Sequence, residues 1–453
     1  MAAIGTNIET IEYRVILVRR DSLAVLAVNS VEGYHLPRVK ISVWSRPARQ
    51  LQNIFRSVWG LDVLMLDFLS AVDTSPSFIV AELLTEAPSP GLEGVNLSEL
   101  PASELPEEER TSLRQLLDGK IGGPFSRVGW LDEALQWVES VTQHTFSSET
   151  QIDQYNAGGA FTLIRFCAGD GSQYWLKATG EPNTHESPVT CLLSRLCGDY
   201  LPTVLASRPE WNAWLTSSQA TDISALQRDQ CELSPILKGA VESLAELQMM
   251  TMGHQNEFLE AGAFDQRLDI LSGNSGVLFE YIEEAMSFQT STKAPQIHKC
   301  RQLELRETFE RVCDSISDLG IPDSVVHGDM NVGNILHARC HCKFIDWSET
   351  YIGHPLINLQ RLLLLNQPHS PGFKAASDRI LKERYRSCLQ KVCDPVRIDR
   401  GLACMPLIAA ASALYGRGDW FRSSLRHDPR RQAYASTSFS GHWPRTRRAM
   451  PSA

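Results

Sequence analysis

The chain has 453 residues, 43% of them apolar and 21% charged, with a net charge of −10. That leaves room for two or three domains of ordinary size and excludes a disordered or fibrous chain. Eight Arg against two Asp make Arg417–Ala453 +6 and the remainder −16, an acidic body that speaks against nucleic acid as the main partner and would suit a cationic small molecule.

Residues 12–85 read as a small α/β unit. Tyr13 to Leu17 and Leu23 to Val28 are short apolar strands, and Leu36-Pro37 opens a loop. Pro47 to Trp59 is a helix with Leu51, Ile54, Phe55 and Val58 on one face, ended by Gly60. Val63 to Phe68 and Phe78 to Leu84 supply more strand. The order strand, Leu-Pro loop, helix, Gly-Leu-Asp, strand resembles a Nudix-type fold. The resemblance is structural only: a Nudix hydrolase holds its metal with a run of glutamates on this helix, where Asn53, Ile54, Ser57 and Val58 stand here. The unit, residues 1–145, is therefore expected to lack hydrolase chemistry and to serve as a docking or regulatory module.

Thr85 to Glu109 shifts to Pro, Ser, Gly and Glu, a long surface loop. Leu113 to Leu117 and Trp130 to Val141 return to helical periodicity, and polar Thr142 to Thr150 marks the expected domain boundary. Ala160 to Cys167, a Gly169-Asp170-Gly171-Ser172 turn and Gln173 to Ala178 then spell a hairpin. Its second strand carries Lys177, and Glu186 opens an amphipathic run through Val189, Leu192, Leu193 and Leu196. Asn156 to Ala160, with Gly158-Gly159, has the composition of a flexible cover. Leu201 to Ser207 and Trp211 to Leu215 complete the sheet; Leu237 to Met250, Leu278 to Met286 and Leu303 to Leu319 are helices.

The chemistry concentrates in Val325-Val326-His327-Gly328-Asp329-Met330-Asn331-Val332-Gly333-Asn334-Ile335-Leu336 and its echo Phe344-Ile345-Asp346-Trp347. Phosphoryl transfer from ATP needs a carboxylate to take the proton of the attacking hydroxyl, plus an Asn and a second carboxylate to hold Mg²⁺ on the phosphates. Asp329 fits the first role, Asn334 and Asp346 the second. Ile335 to His337 and Lys343 to Ile345 read as a hairpin that draws Asn334 and Asp346 together.

His327-Gly328-Asp329 with Asn334, followed by Ile345-Asp346-Trp347 and Gly353-His354-Pro355, resembles the signature of the aminoglycoside phosphotransferase/choline kinase family. The resemblance covers roughly residues 150–415. It implies an α+β, two-lobed protein-kinase-like fold after the Nudix-like unit, with an N-lobe over 150–220 and a C-lobe over 221–416. It also implies ATP and Mg²⁺ as cofactors and a small-molecule hydroxyl as acceptor. Lys177 is then the contact to the α- and β-phosphates, Glu186 its partner, and His327 a support of the catalytic loop. The stretch after Leu215, Thr216-Ser217-Ser218-Gln219, departs from the family's hinge and leaves the adenine contacts unassigned. A catalytically silent binding or regulatory protein on the same scaffold is the alternative; a metallophosphatase would need a His where Ile335 stands.

His337, Cys340, His341 and Cys342 crowd one tight turn, where four ligands could hardly converge on a zinc ion. Glu283, Glu284 and Glu349 are candidate acidic contacts for an acceptor, more readily read as solvated surface. The 11 cysteines all lie at or beyond Cys167 without framework spacing, which suits reduced thiols in a cytoplasmic protein. Met1 to Thr10 lacks the basic-then-apolar plan of a signal peptide. Gly401 to Gly416 is too short for a bilayer and contains Pro406, so a buried helix and no membrane association are expected. Residues 417–453 read as a poorly ordered basic tail.

Overall fold

The computed structural model describes residues 10–20, 24–42, 46–69, 77–84, 91–146, 152–218, 221–222, 233–289, 296–338, 341–368 and 371–416. The basic tail, Cys340 and Gln219 lie outside them. The chain is of mixed α and β structure and divides into two compact units. One runs to Ser187 and takes in Val204–Ser218; the other holds Pro188–Thr203 and the chain after Ser218.

The first unit begins with β1 (Thr10–Val18), β2 (Val25–Ser30), β3 (Gly33–His35), β4 (Arg38–Ser42), α1 (Pro47–Trp59), β5 (Val63–Phe68), β6 (Ser77–Leu83) and β7 (Leu92–Val95). These strands form one mixed sheet with β1 at its centre, parallel to β6 and antiparallel to β2 and β4. The apolar run Val15–Val18 that ends β1 is what burial on both faces requires. Tyr13, Val15 and Leu17 pack with Ala48, Leu51 and Phe55 of α1, while Ile16 and Val18 face the opposite layer. The buried stripe of α1 is Ala48, Leu51, Gln52 and Phe55, and Val58, expected on it, is 63% exposed. Gly60 ends the helix in the left-handed conformation.

Helices α2 (Glu107–Leu117) and α3 (Trp130–Thr142) follow, and then the antiparallel sheet β8 (Ile152–Asn156), β9 (Phe161–Cys167), β10 (Gln173–Thr179), β11 (Thr203–Arg208) and β12 (Ala213–Ser217), in the order β11-β12-β10-β9-β8. One apolar core runs across the segment read from sequence as a boundary. Ile164, Phe166, Leu176 and Leu215 share it with Ile16, Leu64, Leu113 and Trp130. Polar bonds follow the same path. Gln52 Oε1 accepts the Gln154 N–H at 2.8 Å, and the Gln154 amide brackets both backbone groups of Met65 at 2.8 Å. Helix α4 (Glu186–Cys197) starts in this unit and continues into the other.

In the second unit two small three-stranded sheets lie among helices. β13 (Thr221–Asp222), β16 (Ile335–His337) and β17 (Cys342–Phe344) form one; β14 (Phe264–Gln266), β18 (Tyr351–Gly353) and β15 (Ser324–Val326) form the other. The principal helices are α5 (Ser234–Thr251), α6 (Gln255–Glu260), α7 (Leu268–Gly273), α8 (Ser275–Met286), α9 (Lys299–Ser317), α10 (Leu356–Leu365), α11 (Lys374–Leu389) and α12 (Pro395–Tyr415). The apolar residues of α5, α9, α10 and α12 make one core. Among the described residues α12 alone is long and apolar enough to cross a membrane. Pro406 lies inside it, and Ile398, Met405, Leu407 and Ile408 are buried in the core.

Candidate active site

In the second unit β15 delivers the chain, buried, to His327. Asn358 of α10 grips that residue on both sides: its Oδ1 accepts the His327 N–H and its Nδ2 donates to the His327 carbonyl, each at 2.8 Å. The imidazole Nε2 donates to the Ile345 carbonyl at 2.9 Å, and the ring lies 4.6 Å from that of Trp347. A carbonyl only accepts, so the bond fixes the proton on Nε2. His327 thus ties its own loop to the segment carrying Asp346.

Asp329 comes two residues later. Asn331 Nδ2 donates to its Oδ2 at 2.9 Å, and Asn334 Nδ2 donates to the same oxygen at 3.1 Å and to the Asp329 carbonyl at 2.8 Å. Asn331 also turns the chain, since its Oδ1 accepts the Gly333 N–H at 2.8 Å and caps the short 3₁₀ turn Val332–Asn334. With its Nδ2 committed to Asp329, Asn334 presents Oδ1 as the atom that can meet a cation.

The β16–β17 hairpin pairs Ile335 with Phe344 and His337 with Cys342. Strand pairing stops at Phe344, one residue earlier than expected, and the Ile345 N–H donates to the Asn334 carbonyl at 3.1 Å. Asp346, next in the chain, has φ = 67°. Aspartate is one of the few side chains that visits this left-handed region readily, and the kink turns the chain out of the hairpin. Ser348 Oγ donates to Asp346 Oδ1 at 3.3 Å. Asp329, Asn334 and Asp346 are therefore gathered by one stitched segment. Hard oxygen donors of this kind suit Mg²⁺.

After β18, His354 is buried, with Nδ1 accepting the Leu356 N–H at 3.4 Å. Burial pushes its pKa down to about 3. On the preceding loop, Asp323 is pushed up to about 6 by burial; Arg267 opposes the rise and Asp269 and Asp265 add to it.

In the first unit Lys177 stands on β10, paired with Leu163 on one side and Trp214 on the other. Its Nζ donates to Glu186 Oε1 at 2.6 Å, with the two side chains 13% and 1% exposed. The rings of Phe161 and Trp214 lie 5.0 and 5.8 Å from the ammonium. The Lys–Glu pairing expected from sequence is present.

No protein-family model and no curated protein matches the chain. Solved structures with a similar fold include a choline kinase from Cryptosporidium parvum, at 11% identity and TM-score 0.48, covering 70% of this chain and 95% of that one. A macrolide 2′-phosphotransferase from Brachybacterium faecium is similar at 13% identity and TM-score 0.44, over 68% and 97%. A choline/ethanolamine kinase family protein from Mesorhizobium loti is similar at 17% identity and TM-score 0.41, over 71% and 95%. At these identities and scores the likeness goes no further than a general one of fold, and what the site can do is read from its own residues.

Asn358 and Asn331 are residues of the site that the sequence motifs do not single out. A carboxamide two residues after Asp329 is an Asx-turn signal, and Asn331 was legible in that sense. Asn358 lies 31 positions from His327 in an apolar helix, and only its being polar there hinted at a role. Of the candidate acceptor contacts, Glu283 is paired with Lys299 at 2.7 Å, and Glu349 packs its backbone against Gly328. Cys342 is buried in the core with its N–H on Ser243 Oγ at 2.9 Å.

Proposed function

We propose that the chain is an ATP- and Mg²⁺-dependent phosphotransferase acting on a hydroxyl group of a small molecule. The observation that carries the reading is the Asn334 amide spanning the carboxylate and carbonyl of Asp329 at 3.1 and 2.8 Å, on a loop tied through His327 to the segment of Asp346. Two amides aim the Asp329 carboxylate, which orients an acceptor hydroxyl and takes its proton as the oxygen attacks the γ-phosphorus and ADP leaves. Asn334 Oδ1 and the Asp346 carboxylate are the groups that would hold Mg²⁺; bound there, the ion neutralises charge developing on the phosphates. Lys177, braced by Glu186, supplies the first unit's contact to the α- and β-phosphates. Catalysis on this reading is positioning and electrostatic neutralisation.

The acceptor's class is read from charge: an acidic body concentrates cations, so amine-bearing alcohols head the panel to be screened. The first 145 residues, with no acid in the first turn of α1, are read as a non-hydrolytic module. The experiment is phosphate transfer from radiolabelled ATP to such a panel by the intact chain and by Asp329→Asn. Loss of transfer in the variant, with Mg-ATP still raising its melting temperature, supports the assignment. Turnover retained by Asp329→Asn overturns it.

A further inference from the structure

The turn between β8 and β9 holds Gly158 and Gly159, the pair that sequence suggested as a cover for phosphates. It is not a free flap. The Gly159 N–H donates to Oδ1 of Asp67, on β5, at 2.8 Å. The same oxygen accepts the Phe68 N–H, also at 2.8 Å. Gly158 has φ = +128°, and a Cβ added there would lie 3.3 Å from the Phe68 ring. On the turn's other side Gly180, three residues beyond Lys177, lies so near the Gly159 carbonyl that a Cβ on it would sit 2.2 Å from the oxygen. The Gly180 N–H donates to the Ala160 carbonyl at 3.0 Å. The turn is therefore seated between a strand of the N-terminal sheet and the exit of the strand bearing Lys177.

We infer that Asp67 is a positioning residue for the nucleotide, through which the N-terminal module holds the Gly158–Gly159 turn in the one arrangement that can close over the phosphates of ATP. The inference rests on the phosphotransferase reading and gives the N-terminal module a part in it. A glycine turn binds phosphate through backbone N–H groups and gains from losing its freedom before the ligand arrives. Asp67 supplies that loss of freedom. Its carboxylate is half-buried; burial pushes its pKa up while the two N–H bonds pull it down. The clamp has a firm mount, because the apolar core of the N-terminal sheet continues into the five-stranded sheet.

The test compares the intact chain with Asp67→Asn, Asp67→Ala and Asp67→Ser. Asparagine keeps a carbonyl oxygen where Oδ1 stands and retains both N–H bonds; alanine removes the acceptor and serine is too short to reach. Amide hydrogen exchange of residues 157–161 is read first, without nucleotide. Exchange at Gly159 rises about tenfold or more in the alanine and serine variants, as loss of a charge-assisted bond implies, and stays within about twofold in Asp67→Asn. The dissociation constant for Mg-ATP is read second and rises roughly tenfold in the same two variants, with exchange at 327–334 unchanged and Asp67→Asn close to the parent. Serine keeps the test available if alanine fails to fold. Unchanged Gly159 exchange, or an asparagine variant as fast as alanine, overturns the clamp. Faster exchange with unchanged Mg-ATP affinity overturns its part in nucleotide binding while the phosphotransferase reading stands. A parent chain that binds no Mg-ATP overturns that reading, and the exchange data then report on the clamp alone.

Discussion

The Cα of Gly328 lies against the backbone of Glu349, where a Cβ would sit 2.1 Å from the Glu349 carbonyl oxygen and 2.8 Å from its Cβ. No side chain fits between the His327–Asp329 loop and the turn after Asp346, so the glycine of His327-Gly328-Asp329 is required by a close approach and not by its φ. Gly328→Ala has to push the 347–350 turn away. Overpacking of this kind costs about 1–3 kcal/mol, and the displacement moves Asp346 relative to Asn334. The expected result is a lower urea midpoint together with loss of Mg-dependent stabilisation by ATP. A variant with parental nucleotide response would show that the contact yields without disturbing the site.

Asp346 allows its backbone strain to be separated from its charge. At φ = 67° an alanine pays the left-handed penalty of about 1–2 kcal/mol, whereas asparagine and glycine largely escape it. Asp346→Asn should unfold at close to the parental denaturant concentration, Asp346→Ala earlier, and Asp346→Gly between them or better. All three should lose the Mg-dependent rise in melting temperature with ATP, because each lacks the carboxylate. If Asp346→Asn keeps that rise, the carboxylate is not needed for the metal.

The Lys177–Glu186 pair is buried more deeply on its acidic side. Removing the ammonium alone takes from the buried Glu186 carboxylate its lysine, a loss on the order of 3–5 kcal/mol for a buried pair. Lys177→Met should be strongly destabilised, and adding Glu186→Gln should restore most of the stability without restoring nucleotide affinity. Denaturant midpoints of the two single variants and the double variant give the coupling directly. Additive losses would mean that the pair is not coupled in the folded chain.

The carbon framework of this site was legible in the sequence where a residue's neighbours along the chain decide its place. The hairpin that joins Asn334 to Ile345, the helix Pro47–Trp59 with its Gly60 stop, and the strand under Lys177 all follow from local pattern. Contacts between distant segments were not legible. Val58 was expected to be inward because it completes an apolar stripe, but the buried stripe follows Gln52, whose carboxamide bonds to β8 and to the Val63 carbonyl at 2.9 Å. The shared core of the N-terminal module and the five-stranded sheet depends likewise on tertiary packing, which no period of 2 or 3.6 reports.

Asn358 is the clearest of these long-range contacts, and it can be tested. Its carboxamide serves both backbone groups of His327, 31 residues away. Asn358→Leu conserves volume and leaves a buried N–H and a buried carbonyl unmatched, each worth about 1–3 kcal/mol. Asn358→Asp keeps the acceptor for the N–H and, held protonated by its burial, can donate to the carbonyl through its hydroxyl at the cost of that proton uptake. The expected order of stability in urea is parent, aspartate, leucine, with ATP-dependent turnover falling in the same order as the His327 loop loosens. A leucine variant as stable as the parent would mean that water replaces both bonds.

His354 and Asp323 should give the second unit opposing pH dependences. The His354 pKa falls from 6.5 in the open chain to about 3 in the fold. Between those values the unfolded chain binds more protons, so stability is complete above pH 6.5 and is lost on acidification, by about 1.4 kcal/mol per pH unit and roughly 2 kcal/mol by pH 5. Asp323 rises from 3.8 to about 6; the folded chain binds more protons across that window, and stability falls as pH rises through it. Urea midpoints at pH 7.5, 6 and 5 separate the two. His354→Asn, whose Oδ1 can still accept the Leu356 N–H, should lose less stability than the parent between pH 6.5 and 5. Asp323→Asn should lose more than the parent on acidification over the same range, because the compensating proton uptake is gone, and should be the more stable protein at pH 7.5. A His354→Asn chain as acid-sensitive as the parent would mean that the imidazole is already charged in the fold, which its burial with no partnering carboxylate among the described residues argues against.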